Sequence, residues 1–147
     1  MKSAFRKLSH SIYPCKYHLV FCPKYRRRIF RGEIADFTGS QIRALLRQKD
    51  AIEVLELNVQ VDHIHVVLSI PPKYAVSNVM GFLKGKLALR LFQRYERLGR
   101  RGRHVWSRGY GVSTVGLDED QIRLYVQWQE QRDRRIDAQQ LGLFGPS

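Results

Sequence analysis

Two histidines stand one residue apart in the run VDHIHVVLSI, at His63 and His65. On an extended strand, residues two apart project from the same face. The pair would hold its imidazoles side by side, with Ile64, Val66 and Leu68 facing the other way to pack under helices. Two parallel imidazoles on an open sheet face supply two legs of a metal site. They can equally be ordinary half-buried histidines with backbone partners, and the motif is short. A histidine-triad nucleotidyl hydrolase needs a third histidine where this chain has Val67, and a metallo-β-lactamase would continue with Asp and His where it reads HVVLS. Any further ligand must come from elsewhere. The stretch YVQWQ places Tyr125 and Gln129 at i and i+4, on one helical face, although each alone reads as a packing aromatic or a solvated amide.

The charge narrows the chemistry. Lys and Arg number 26 against 13 Asp and Glu, a net +13, with an isoelectric point near 10.3. That balance favours a polyanionic partner, usually nucleic acid. The cations cluster: Lys24, Arg26, Arg27, Arg28 and Arg31 lie in one run, and Lys84, Lys86, Arg90, Arg94, Arg97, Arg100, Arg101, Arg103 and Arg108 in another, opposed only by Glu96. Tyr25 and Trp106 fall within these runs, and rings beside cations suit single-stranded bases. With only 13 acids, phosphoryl-transfer chemistry built on a cluster of acidic metal ligands is disfavoured. No GxxxxGK[ST] phosphate loop is present.

The elements that must position these groups can be read coarsely. At 147 residues the chain is one domain's worth, and one domain is expected over residues 1–147. No apolar run is long enough to span a membrane, the first residues lack a signal peptide's apolar stretch, and the reading is cytoplasmic. Cys15 and Cys22, seven apart, do not form a zinc motif and read as free thiols. Strands are expected at 15–22, 51–61, 63–70 and 109–116, the second and third joined by a tight turn at 60–62. Helical periodicity marks 33–48 and a longer helix carrying Val76, Val79, Leu83, Leu87, Leu91 and Tyr95. The last helix should begin at Asp118, with Gln121 completing a capping box and Leu117 and Ile122 a hydrophobic staple, and run to about 136, leaving 138–147 as a tail. This order suits an α+β sandwich, an antiparallel sheet with helices packed on one face.

With those residues in place, the chain resembles the single-tyrosine HUH transposases of insertion sequences, the small TnpA-type, IS200-like enzymes. YHLVFCPKYRR, DHIHVVLSIPP, GKLALRLF, WSRGYGVSTVG and YVQWQE occur in that family's order and cover 17–130. The resemblance implies a ferredoxin- or RRM-like HUH fold, His63, His65 and Gln129 as metal ligands, and Tyr125 as nucleophile. It implies a 5′-phosphotyrosine, a free 3′-hydroxyl, hairpin-bearing single-stranded DNA, and a homodimer in which one subunit's tyrosine helix serves the other's histidines. Gly116, before that helix, could be its hinge. Two positions depart from the pattern: Gly111 where an aromatic is expected, and Trp128 where a polar residue is frequent.

The residues and the resemblance agree on phosphoryl transfer. A free phenol, with a pKa of about 10, is a weak nucleophile near neutrality, and a divalent cation, Mg²⁺ or Mn²⁺, on mixed nitrogen and oxygen ligands would activate the phosphate. Lys24, Arg26, Arg27, Lys84, Lys86 and Arg90 are the candidate nucleic-acid contacts. Tyr110 is the rival nucleophile, on a strand near the basic loop. Two alternatives remain: an HUH replication initiator or relaxase, which is typically larger, and a non-catalytic RRM-like module, for which the aromatic RNP pattern is missing.

Overall fold

A computed structural model describes the backbone of 5–8 and 11–14 and all of 16–98 and 104–140. Cys15, Arg100, Arg101, Arg103 and the tail from 141 lie outside these residues. The elements are β1 (Phe5–Leu8), β2 (Ser11–Pro14), β3 (Lys16–Phe21), α1 (Gly32–Leu46), β4 (Glu53–Gln60), β5 (His63–Ser69), α2 (Val76–Arg94), β6 (Gly111–Ser113) and α3 (Glu119–Gln140). β1 and β2 pair as a separate antiparallel ribbon, for which the short sequences FRKL and SIYP gave no reading. The main sheet is antiparallel, in the order β4-β5-β3-β6. The α+β expectation holds.

β5 lies inside the sheet, bonded to β4 on one edge and β3 on the other. Its alternation is as read: Ile64, Val66 and Leu68 are fully buried in the main core. β4 needs a correction to reach the same core. Register slips between Val54 and Glu56, so Leu55 is an extra residue, partly exposed. That bulge lets Val54, Leu57 and Val59 all pack against the core despite their odd spacing.

α1 and α2 close this face. Ile34, Ile42, Leu45 and Leu46 of α1 and Val79, Met80, Leu83, Leu87 and Leu91 of α2 are buried against the sheet. Gly81 and Gly85 leave α2 unbroken. Trp106 joins this core at 8 % exposure, with its indole N–H donating to the Lys84 carbonyl at 2.9 Å. It is therefore a packing residue and not the base-stacking ring its basic surroundings promised.

α3 crosses the opposite face, so the expectation that all the helices pack on one face is corrected: only α1 and α2 share a face, and α3 is drawn to the other by Val20, which alternates away from Leu19 and Phe21. Ile122 and Val126 pack on Val20 of β3, with Leu117 and Tyr125 alongside. The helix runs to Gln140, past the expected end. β6 is shorter than expected, because the Ser113 hydroxyl donates to the Val115 carbonyl and accepts from the Val115 N–H, turning the chain out of the sheet. The capping box forms in both directions: Asp118 Oδ1 accepts from the Gln121 N–H at 2.8 Å, and Gln121 Oε1 from the Asp118 N–H at 3.0 Å. Asp118→Ala should therefore destabilise the protein by about 1 kcal/mol, seen as a fall of roughly 3 °C in melting temperature for a chain of this size. An unchanged melting curve would mean that the cap contributes nothing.

Candidate active site

The face of β5 that α3 crosses carries His63 and His65, as the alternation requires, with His65 buried and His63 half-buried. Directly across on β3, His65 is opposite Val20, with His18 two residues away on the same face. The His18 and His65 rings stack 5.5 Å apart, with His18 Nδ1 3.3 Å from His65 Nε2. Burial lowers both pKa values, helped at His18 by the Lys16 charge and at His65 by the neighbouring His18. Both rings are thus held neutral near pH 7, the state in which an imidazole has a lone pair to offer a cation. His63 Nδ1 lies 2.8 Å from Asp62 Oδ1. A carboxylate on one ring nitrogen fixes the orientation and leaves Nε2 for a ligand. A cavity of about 520 Å³ opens over the pair, walled by Arg26, Asp62, Ile122, Arg123 and Val126 among others.

Tyr125 and Gln129 do not line that cavity. They are joined to one another on α3, where Gln129 Nε2 donates to Tyr125 Oη at 2.8 Å and to the Arg108 carbonyl at 2.7 Å. The tyrosine ring lies over Gly111 on β6, where a methyl group added to the glycine would stand 3.4 Å from it. The aromatic expected at this position would displace the ring, so the glycine provides its seat. β5 and β6 are separated by β3, two strand spacings or about 10 Å. The phenol is turned toward the β6 side, away from the histidines. Burial, only partly offset by the Gln129 hydrogen bond, pushes its pKa up to about 12. Gln129 is 1 % exposed, and its Oε1 is buried with no hydrogen-bond partner. Among the described residues no cluster of three His, Cys, Asp or Glu side chains could hold a metal ion.

What connects the two halves is the basic turn after β3. Tyr25 and Arg26 adopt left-handed conformations, φ 61° and 55°, which cost non-glycine residues free energy and persist only when surrounding contacts impose them. The Tyr25 N–H donates to Asp133 Oδ2 of α3 at 3.0 Å, and Arg26 Nε to Asp62 Oδ2 at 2.8 Å. Asp133 also accepts from the Ser107 hydroxyl at 2.5 Å. Arg26 meets Glu130 at 3.8 Å, and Lys24 meets Asp137 at 3.7 Å. Lys24, Arg27 and Arg134 surround the Tyr25 ring. Of the other expected DNA contacts, Lys84 gives two donors to the Ser107 and Gly109 carbonyls, and burial lowers its pKa. Arg90 donates to Gln41 at 2.6 Å. Lys86 is exposed. Gly116 is exposed, with nothing within 4 Å of an added Cβ.

A family model described as "Transposase IS200 like" matches residues 11–129. The transposase of insertion sequence IS200 from Salmonella typhimurium is 44% identical over 131 residues, 88% of this chain and 86% of that protein. The chain belongs to the IS200-like transposase family. It is a transposase, a DNA-cleaving enzyme. A transposase crystal structure from Deinococcus radiodurans superposes with a TM-score of 0.75 at 28% identity, covering 84% of this chain and 97% of the other. The REP-associated tyrosine transposase bound to a REP hairpin has the same fold, with a TM-score of 0.53 at 15% identity over 86% and 70% of the two chains.

Sequence reasoning missed several residues of this transposase site. Asp62 was visible as an acid directly before the HxH, the usual place to look for a group that orients an imidazole. Asp133 continues the buried stripe Ile122, Val126, Gln129 at helical spacing. His18 has no signal of its own, because its neighbour arrives from 47 residues away. The Asp62 contacts carry a pH signature. Burial alone would raise its pKa, but the hydrogen bonds to His63 and Arg26 outweigh it and hold the value below the ordinary 3.8. A depressed carboxyl pKa stabilises the fold above the unfolded value and loses that contribution as pH falls through the folded one. Asp62→Asn should thus lower the denaturant midpoint at pH 7 and converge on the unsubstituted protein once the pH has fallen below the depressed folded value. A gap independent of pH would show that the ionised carboxylate is not what stabilises.

Proposed function

We propose that this transposase, as one domain over residues 1–147, cleaves and rejoins single-stranded DNA at the ends of its insertion sequence, through a 5′-phosphotyrosine on Tyr125. It uses Mg²⁺ or Mn²⁺ on His63, His65 and Gln129, in a homodimer where α3 of each subunit completes the histidine half-site of the other. The observation that carries this reading is the split site. Tyr125 and Gln129 are paired on one helix, while His63 and His65 share a cavity that neither of them enters. An α3 that serves a partner explains why both halves are well formed and neither is complete.

The residues fit a divalent cation. His65 is kept neutral, His63 is oriented by Asp62, and Gln129 brings an amide oxygen with no partner of its own. When bound, the cation polarises the scissile phosphate and supplies Lewis-acid stabilisation. Everything else is done by the chain. In its seat on Gly111 the phenol is protonated and bonded to Gln129, so it is stored. Lifting α3 exposes it and lets its pKa fall back toward the ordinary value of about 10. Gly116, where an added Cβ would meet nothing within 4 Å, is the hinge that would absorb that movement. The Tyr125 Oη–phosphorus bond then forms as the phosphorus–O3′ bond breaks. The phenol proton passes to solvent, and the departing 3′-oxygen takes a proton from solvent to leave as a hydroxyl. Attack by the 3′-hydroxyl of a second strand reverses the step and joins the DNA. The phosphodiester energy is kept in the phosphotyrosine, so no nucleotide triphosphate is needed.

Lys24, Arg26 and Arg27 gather on the turn beside the histidine cavity, where they can take backbone phosphates, and Lys84, Lys86 and Arg90 extend the basic surface along α2. The hairpin bound by the REP-associated relative supports a hairpin in the substrate here. The cell compartment that fits a DNA substrate is the cytoplasm.

Tyr125→Phe removes only the attacking oxygen. It should abolish the covalent DNA adduct on a denaturing gel while leaving hairpin binding within a few-fold, and Tyr110→Phe should still form the adduct. Adduct on the Tyr125→Phe protein would end the assignment. Mixing Tyr125→Phe subunits with His63→Ala, His65→Ala subunits should restore cleavage, because one composite site in the mixed dimer then carries both halves. No recovery, with subunit exchange confirmed, would place both halves of each site on one chain.

A further inference from the structure

α3 turns Trp128 to the outside. Its side chain is 53 % exposed. Within 16–98 and 104–140 no other phenylalanine, tyrosine or tryptophan is exposed. An exposed indole forfeits hydrophobic burial, and this one is not loose. The Arg132 guanidinium lies 5.4 Å from its ring centroid, and the Tyr125 ring lies 6.2 Å away at 37°. Trp128 is thus a held aromatic surface, one helical turn from the nucleophile, with a cation against it.

We propose that Trp128 is a stacking platform for one base of the single strand whose phosphate is delivered to Tyr125. The proposal rests on Tyr125 being the nucleophile, since that fixes which part of the strand passes the ring. Three features favour a base over other occupants. A flat ring with a guanidinium nearby matches the face of any base, whatever its identity. Arg132 and Arg135 sit one and two turns further along, where they would neutralise the phosphates flanking a stacked base. A second copy of this chain presenting the same basic stripe would instead meet like charge. Duplex DNA offers the ring no free base face, so Trp128 also selects for single strands.

The chain has two tryptophans, and Trp106 is buried out of reach of a base, so its emission is a constant background and the DNA-induced change in indole fluorescence reports on Trp128. The full-length protein is titrated with oligo(dT) and with an abasic phosphodiester strand of equal length. Oligo(dT) should quench the emission, the abasic strand should bind without quenching, and the quench should vanish in Trp128→Tyr. By anisotropy, Trp128→Ala should weaken oligo(dT) binding about 10-fold and leave abasic binding unchanged, whereas Trp128→Tyr should stay within about 3-fold because it keeps a ring to stack on. Equal loss on both strands, or no loss on either, would overturn the proposal. So would a Trp128→Ala protein that sediments as a monomer where the unsubstituted chain is a dimer, since the ring would then belong to a subunit contact. None of these measurements requires cleavage. Failure of the Tyr125 adduct would leave them interpretable, and their failure would leave the adduct untouched.

Discussion

β5 is hydrogen-bonded along both edges, and that double pairing decides which side each of its residues takes. Because side chains alternate with period two, a slip of one residue would carry Ile64, Val66 and Leu68 into the open and bury the histidines under α1 and α2. The apolar set locks the register, and the register places His63 and His65 on the face that α3 crosses. The bulge at Leu55 serves the same end, since β4 can then bury three apolar residues without disturbing the pairing of Asn58 and Gln60 with His65 and His63.

α3 is held differently. Its buried stripe begins with Ile122 and Val126 and ends with Gln129 and Asp133. The apolar half rests on a small cluster around Val20, while the polar half is bonded to Tyr25, Ser107, Arg108 and Tyr125. Such an interface suits the exchange of α3 proposed above. Polar groups released from it regain hydrogen bonds with water or another partner, and little apolar area is lost from the main core. The main core, by contrast, is continuous through β3, β4, β5, α1 and α2. The molecule therefore joins a histidine platform built into the main core to a helix held by a smaller, partly polar interface, and the strained turn at Tyr25 and Arg26 touches both through Asp133 and Asp62. A phosphate arriving at Lys24 or Arg26 competes with the Glu130 and Asp137 carboxylates for the same cations.

Strongly periodic features were legible in the sequence. The HxH strand, the long α2 stripe and the Asp118 capping box each rest on local spacing, and each formed where expected. The shared face of Tyr125 and Gln129 was legible for the same reason, as i and i+4 positions meet in any helix. What could not be read depends on chain segments meeting from afar. Nothing local says that α3 lies on the histidine face with its tyrosine over Gly111, that His18 stacks on His65, or that Trp106 turns inward. The reading of Trp106 went wrong because neighbouring arginines were taken as a guide to its surroundings, whereas its packing on Phe21 and Phe30 decided them. The glycine at 111 looked like a departure from the family and is, in this chain, the floor of the tyrosine's seat.

Whether the two half-sites of one chain meet only across a dimer can be read from a manganese-soaked crystal. An anomalous peak should stand within coordination distance of His63 and His65, with the amide oxygen of Gln129 of the partner subunit as the third protein ligand. A peak away from the histidines, or one completed by Gln129 of the same chain, would contradict that arrangement.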